Sequence, residues 1–360
     1  MMAEYHHRLE PQALIDAFVQ HPPEGFEAHI SANGTPWFKT SFDLFTLLEP
    51  EARQRLLQLP GFRFWRRLLR QPTCFVGTTV SEYSPLPAGV EPELYIQRLR
   101  RLAPECGVTI VKDMPCNSPL LSAAENHNAR LLYEVGDRKG LFSVAGRTLA
   151  YVPIHFDSID EYMASMSHSR RHNLRRKLRS RDELTVEVLN TGCPRLDSAQ
   201  WRAELYRYYL EVYQHSDNRF ELLTSAFFDA LLQDGESGGR LFCYWHGEAL
   251  VGFNLCYLHN EMLIDKYIGF DYSQVSRFNL YFVSWFVNLE YALDQGLRYY
   301  VAGWADSQVM AKLGANFTET RHLVWVRNPV LRAVLRRVQQ HSAADYLSAD
   351  PGRVVMNRMR

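Results

Sequence analysis

The chain is 360 residues long, and its 40 Lys and Arg balance 40 Asp and Glu, so the formal charge is zero. Hydrophobic residues make up 46% and aromatic residues 13%, which is ample for a sizeable core and excludes a disordered chain; zero net charge confines any attraction to nucleic acid or an anionic membrane to a local patch. The six cysteines (Cys74, Cys106, Cys116, Cys193, Cys243, Cys256) form no CxxC pair and no metal spacing, and no apolar run approaches the roughly 20 residues of a membrane span. Free thiols in a reducing compartment, no metal, no transmembrane segment and no signal-peptide core make a cytoplasmic protein the expectation.

In chain order, Leu14 to Val19 reads as a short helix stopped by His21-Pro22-Pro23, and Trp37 to Leu48 supplies an aromatic and aliphatic cluster. A helical pattern runs from Glu49 to Leu59 and resumes from Phe62 to Leu69 after Pro60-Gly61. Next comes a strand over Thr73 to Val80, a helix over Pro92 to Leu102, a strand over Val108 to Val111 and a helix over Ala123 to Tyr133. Gly140 to Val144 and Thr148 to Pro153 are expected to pair as a hairpin across Ala145-Gly146-Arg147.

The densest charge lies between Arg170 and Arg181, where seven Lys or Arg residues occur in a chain of no net charge. On a helix starting near Ser167 or Ser169, Arg171, Arg175 and Arg179 fall at four-residue spacing, with Leu174 and Leu178 anchoring the inner face. Arginines in such a stripe suit phosphate groups, of a coenzyme A or nucleotide or of a tRNA backbone. The alternative is a solvated face pairing with Asp157, Asp160 and Glu161.

Helical patterns over Trp201 to His215 and Thr224 to Leu232 follow, then a Gly-rich turn at 235–239 and a hairpin of Leu241 to Trp245 with Leu250 to Tyr257. The segment Glu261 to Phe317 then reads as strand (Met262 to Ile268), helix (Leu280 to Leu293) and strand (Tyr299 to Ala302). Gly296 supplies the left-handed helix terminus, and the two strands are expected to lie parallel. Asp265 and Lys266 fall on opposite sides of the first strand. A helix over Val330 to Gln339 and a tail close the chain.

The order "HGEALVGFNLCYLHNEMLIDKYIGFD", an aromatic helix, "QGLRYYVAGWAD" and "MAKLGANF" resembles the C-terminal lobe of the FemAB-like branch of the GNAT acyltransferases, and "FDSIDEYMASMSHSRRHNLRRKLRS" resembles its basic helix. The resemblance implies an α/β fold of two tandem GNAT-like lobes with mixed sheets flanked by helices: a first lobe over 1–155, a basic linker region over 156–199, a second lobe over 200–340 and a tail over 341–360. It implies transfer of an acyl group, from acyl-CoA or from aminoacyl-tRNA, to a small-molecule or nucleotide-linked amine, the aminoacyl case acting on a cell-wall precursor. A non-catalytic protein of this fold that binds RNA or another anion is the competing class.

For the site, the resemblance and the residue chemistry together single out Arg277, with Ser276 and Asn279, at the N-terminus of the aromatic helix, where a pyrophosphate would be held. The loop Tyr272 to Asn279 lacks the glycines with which acetyl-CoA-dependent members close on pyrophosphate. Lys312, before the Gly-Phe turn, is the candidate cation for a developing oxyanion. Asp306 is the candidate general base, or else a helix cap. Arg171, Arg175 and Tyr213, with Tyr209 and His215 nearby, are candidate substrate contacts.

Overall fold

Runs of β-branched and aromatic residues build one 11-stranded mixed sheet in the computed structural model, which describes residues 5–47, 53–54, 57–58, 60–216, 220–304 and 307–337. Its strands are β2 (Glu27–Ile30), β3 (Pro36–Asp43), β4 (Arg70–Val76), β6 (Val108–Pro115), β7 (Phe142–Pro153), β8 (Thr185–Asn190), β9 (Gly239–His246), β10 (Ala249–His259), β11 (Met262–Phe270), β12 (Tyr299–Gly303) and β13 (Asn316–Val326). β1 (Tyr5–His6) and β5 (Leu86–Pro87) pair apart from them. Most of the helix expected over 49–59, the tail from 341 and Asp306 lie outside the described residues.

The sheet order is β2-β3-β4-β6-β13-β7-β12-β11-β10-β9-β8. Taken inward from β2, the pairings are antiparallel, antiparallel, parallel and antiparallel. The same series recurs inward from β9. Each parallel pair is bridged by a helix, Pro92–Leu102 between β4 and β6 and Leu280–Asp294 between β11 and β12, because parallel neighbours require a crossover. The fold is therefore two copies of one α/β pattern side by side. The innermost strand of each copy comes from the other half of the chain: β13 lies against β6, and β7 lies against β12.

Two local readings need correction. β7 is one strand of 12 residues, not a hairpin turning at Gly146. The glycine there answers a close approach: a Cβ on Gly146 would stand 3.1 Å from the Thr320 carbonyl carbon, where the register between β7 and β13 shifts. The strand expected to reach Val80 ends at Val76, since Gly77 at φ 106° turns the chain away from the sheet.

The crossover helix Leu280–Asp294 is apolar on nearly every side because it is buried on nearly every side, through Leu280, Val283, Trp285, Phe286, Leu289 and Ala292. It ends as its sequence requires, with Gly296 at φ 65° and the Leu297 N–H donating to the Ala292 carbonyl at 3.0 Å. The opposite face of the sheet is covered by the helices Ala199–His215 and Ser225–Gln233, which bury Leu205, Phe227, Phe228 and Leu231 against Phe253, Leu255 and Tyr257. No helix among the described residues is long and apolar enough to cross a membrane.

Candidate functional site

The parallel pairing of β11 with β12 lasts three residues, Met262 to Ile264 against Tyr299 to Val301. Beyond that point β11 is held by β10 and β12 by β7, so the two strands part and open the sheet between them. A bulge sits at the parting: Cys256 pairs with Asp265 and Leu255 with Tyr267, leaving Lys266 unopposed. Bulges re-aim side chains, and here Lys266 and Tyr267 turn to one face while Asp265 stays on the other. A cavity of about 630 Å³, a typical volume for a small-ligand site, occupies the gap and is lined from both faces.

On the face of the crossover helix the floor is polar. Asp265 accepts hydrogen bonds from Asn288 Nδ2 and the Tyr300 hydroxyl, each at 3.0 Å, and from Asn254 Nδ2 at 3.2 Å. The Tyr244 hydroxyl donates to the Asn254 oxygen at 3.1 Å and so orients that amide. Burial pushes the Asp265 carboxyl up to about 6, although the bonds from Tyr300, Asn254 and Asn288 favour its charged form. Above this floor the walls are apolar: Tyr281, Phe282 and Trp285 from the first turns of the helix, and Val309, Met310 and Leu313 from the helix Ser307–Leu313.

The other face is charged and dry. Lys266 Nζ lies 2.6 Å from Glu82 Oε1 and 3.3 Å from Glu10 Oε1, with side chains 5%, 2% and 0% exposed. Glu10 Oε1 also accepts the Glu82 backbone N–H at 2.6 Å. Burial alone would depress Lys266, but Glu82 and Glu10 more than offset it and hold the ammonium up at about 12. Burial raises Glu82 despite Lys266, and the Glu10 charge adds to the rise. Glu221 lines the same end beside the Thr79 hydroxyl, and its carboxyl too is raised by burial.

The basic helix, His168–Leu178, borders the apolar opening. Lys177 Nζ sits 3.3 Å from the centroid of the cavity-lining Phe282 ring. Desolvation lowers the Lys177 pKa, and Arg176 and Lys312 repel it further. The Arg170 guanidinium donates to the carbonyls of Ala311 and Lys312, tying the basic helix to the helix that carries Val309, Met310 and Leu313.

The residues singled out from sequence divide accordingly. Lys312 is exposed at this opening, off the lining face of its helix. Arg277 belongs to a short helical turn, Val275–Phe278, not to a loop; it lies 3.6 Å from Glu183 and 4.6 Å from the Phe278 ring centroid. Ser276 is exposed beside it, and Asn279, left-handed at φ 50°, starts the crossover helix by accepting the Phe282 and Val283 N–H groups at 2.8 and 3.0 Å. Arg171 donates to the Ala164 carbonyl at 3.1 Å and to that of Met166, closing the preceding helix, and Arg175 pairs with Asp160 at 2.8 Å. Tyr213 packs by Tyr209 at 6.3 Å and does not line the cavity; the Tyr209 hydroxyl accepts the Leu223 N–H, and His215 stacks on Tyr272.

Glu10, Glu82 and Glu221 escaped the sequence reading. Isolated acids in loop-like stretches carry no periodic signal, and only the topology brings them to Lys266. Asn254, Asn288 and Tyr300 had one available signal, polar residues inside otherwise apolar runs.

A protein-family model, FemAB-like, described as peptidoglycan biosynthesis/recognition, matches residues 111–349. No curated protein matches the chain by sequence. Among solved structures, L-PGS from Bacillus licheniformis aligns at 12% identity over 93% of this chain and 99% of that one, with a TM-score of 0.53. FemX aligns at 11% identity over 92% and 96%, also at 0.53. The C-terminal domain of a lysylphosphatidylglycerol synthetase homologue from Agrobacterium fabrum aligns at 12% over 92% and 95%, at 0.52. At these identities the likeness is one of fold.

Proposed function

The chain belongs to the FemAB-like family and has its GNAT-like fold, and on that premise we propose that it is an acyl- or aminoacyltransferase whose reaction takes place in the gap between β11 and β12. The supporting observation is the two-sided cavity: a basic, apolar opening on one face of the sheet and a buried acidic end on the other. A donor consisting of an acyl group on a polyanionic carrier fits the first side, with the acyl chain among Tyr281, Phe282 and Met310 and the carrier phosphates near Lys177 and Lys312. An amine fits the second.

The amine nitrogen attacks the donor carbonyl, the new C–N bond forms, and the carrier leaves with the electron pair of the broken C–S or C–O bond and one proton. The acceptor enters as an ammonium and gives up its first proton to a carboxylate before this attack, so the nitrogen loses two protons in all and keeps one as the amide N–H. Backbone N–H groups and the cations of the opening stabilise the oxyanion, and a positioned donor there is worth about 3 kcal/mol of barrier. No covalent enzyme intermediate is needed.

We take acyl-CoA as the donor, with Arg277, Ser276 and Asn279 near its phosphates. Aminoacyl-tRNA is the second reading, and the helical, glycine-free turn over Val275–Phe278 favours it, because that turn offers little backbone to a pyrophosphate. The acceptor is a small or nucleotide-linked amine. Labelled acetyl-CoA, a long-chain acyl-CoA and charged tRNA, each incubated with the protein and a primary-amine panel, distinguish the donors by which label enters an amide. Labelled amide from a thioester, reduced in Arg277→Ala, supports acyl-CoA; label from charged tRNA alone replaces it with the second reading; no amide from any donor refutes transfer.

A further inference from the structure

The acidic end of the cavity has one feature that folding does not account for. Glu82 is 1% exposed and lines the cavity, yet its Oε2 has no partner among the described residues. Glu10, fully buried behind it, likewise leaves Oε2 without one. Buried carboxylate oxygens are normally satisfied, because an unsatisfied one loses its hydration for nothing. One lysine, Lys266, serves both glutamates and is spent on their Oε1 atoms. Glu221 adds a third acid to the same wall. Lys112 and Arg147 act on Glu221 as well, yet Lys266 is the cation that contacts Glu82, and Glu82 brings an unpartnered acceptor oxygen to the cavity wall.

We propose that the Glu10–Glu82–Lys266 cluster, together with Glu221, is the binding site for the acceptor's primary ammonium group, and that Glu82 accepts the proton that frees the amine for attack. The inference rests on the transferase reading and deepens it by assigning the acceptor class and the proton acceptor. An alkylammonium supplies three donors, which match Glu82 Oε2 and the Glu221 carboxylate. The titratable groups facing Glu82 are Lys266 and the Tyr267 phenol from β11, Glu10 from the segment before the first helix, Asp113 from β6 and the neighbouring Tyr83 phenol. Burial and the two neighbouring acids place the Glu82 carboxyl at about 7, where it can take a proton and return it to water near neutral pH. The ammonium N–H bond breaks as the Glu82 O–H bond forms. The neutral amine then attacks, and the second proton departs with the carrier.

Binding of a small amine tests this without any donor, so its failure is distinct from failure of transfer. n-Butylamine, 1,4-diaminobutane and the neutral n-butanol are titrated calorimetrically into wild-type protein, Glu82→Gln and Glu221→Gln at pH 6, 7 and 8. The proposal expects both amines to bind and the alcohol not to. Amine affinity should rise about tenfold between pH 6 and 8 as Glu82 ionises. At pH 6, heats measured in buffers of different ionisation enthalpy should report a proton released on binding. Glu82→Gln should lose about tenfold or more in affinity at pH 8, flatten the pH dependence and abolish proton release. Glu221→Gln should weaken binding yet keep both. If Glu82→Gln does not fold, the wild-type pH profile and proton release decide together with Glu221→Gln. Equal binding of butanol, pH-independent amine binding, no proton release, or no amine binding at all would overturn the proposal.

Discussion

Replacing Glu82 by Gln keeps the side chain's shape and removes its ionisation, so its effect on stability must change with pH in a way the structure dictates. In the unfolded chain a glutamate titrates at about 4.5; folded, Glu82 is raised to about 7, chiefly by burial. A carboxyl raised on folding binds more protons in the native state across that interval, so native stability falls as pH climbs from about 4.5 to 7. The full displacement corresponds to roughly 3 kcal/mol, undiminished by solvent screening because the group is buried. Wild type should therefore lose up to about 3 kcal/mol across this window relative to Glu82→Gln, with other titrating groups cancelling in the comparison. Urea unfolding of both proteins at pH 4.5, 5.5, 6.5 and 7.5 measures it. Parallel profiles would refute the reasoning, and so would a wild type that gains on the variant as pH rises, since that would mean the Lys266 pair outweighs burial.

Tyr300→Phe removes one of the donors to Asp265, whose carboxyl then rises above about 6; destabilisation of about 1–2 kcal/mol should be present well above pH 6 and fade as pH falls through about 6 in the same assay. Gly146→Ala drives a methyl against the Thr320 backbone and should lower stability by about 1–3 kcal/mol at every pH, read as a fall in the urea midpoint with unchanged m-value. Lys177→Ala with Lys312→Ala should raise the donor KM about tenfold at low salt and less at 0.5 M salt, as expected of an exposed basic rim; a salt-independent change would argue against it.

The crossover unit from β11 to β12 was legible because its signals are local: period-two runs, helical spacing and Gly296 at the stop. The parallel pairing followed from the helix between the strands. Gly146 misled for a physical reason, since a glycine between apolar runs marks either a turn or a close backbone contact, and only Thr320 on β13 decides which. Exchange of the innermost strands was also illegible, because it depends on pairings between residues far apart in sequence. The basic segment is a helix, as its spacing indicates, yet three of its arginines are engaged by neighbours, Arg170 and Arg171 by carbonyls and Arg175 by Asp160, while Lys177 stands at the cavity. Glu10, Glu82 and Lys266 span more than half the chain; their meeting is a property of the two halves packing together.

The central claim is that group transfer happens in the gap between β11 and β12. Val309 lines that cavity from a partly exposed position, 37% accessible, so Val309→Trp can fill the opening with little disturbance of the core. Amide product formed from labelled donor by wild type and Val309→Trp, quantified by mass spectrometry at matched thermal stability, is the direct measurement. The account predicts a loss of about a hundredfold or more in kcat/KM, about 3 kcal/mol of transition-state stabilisation; product formed at the wild-type rate with the opening filled would contradict it.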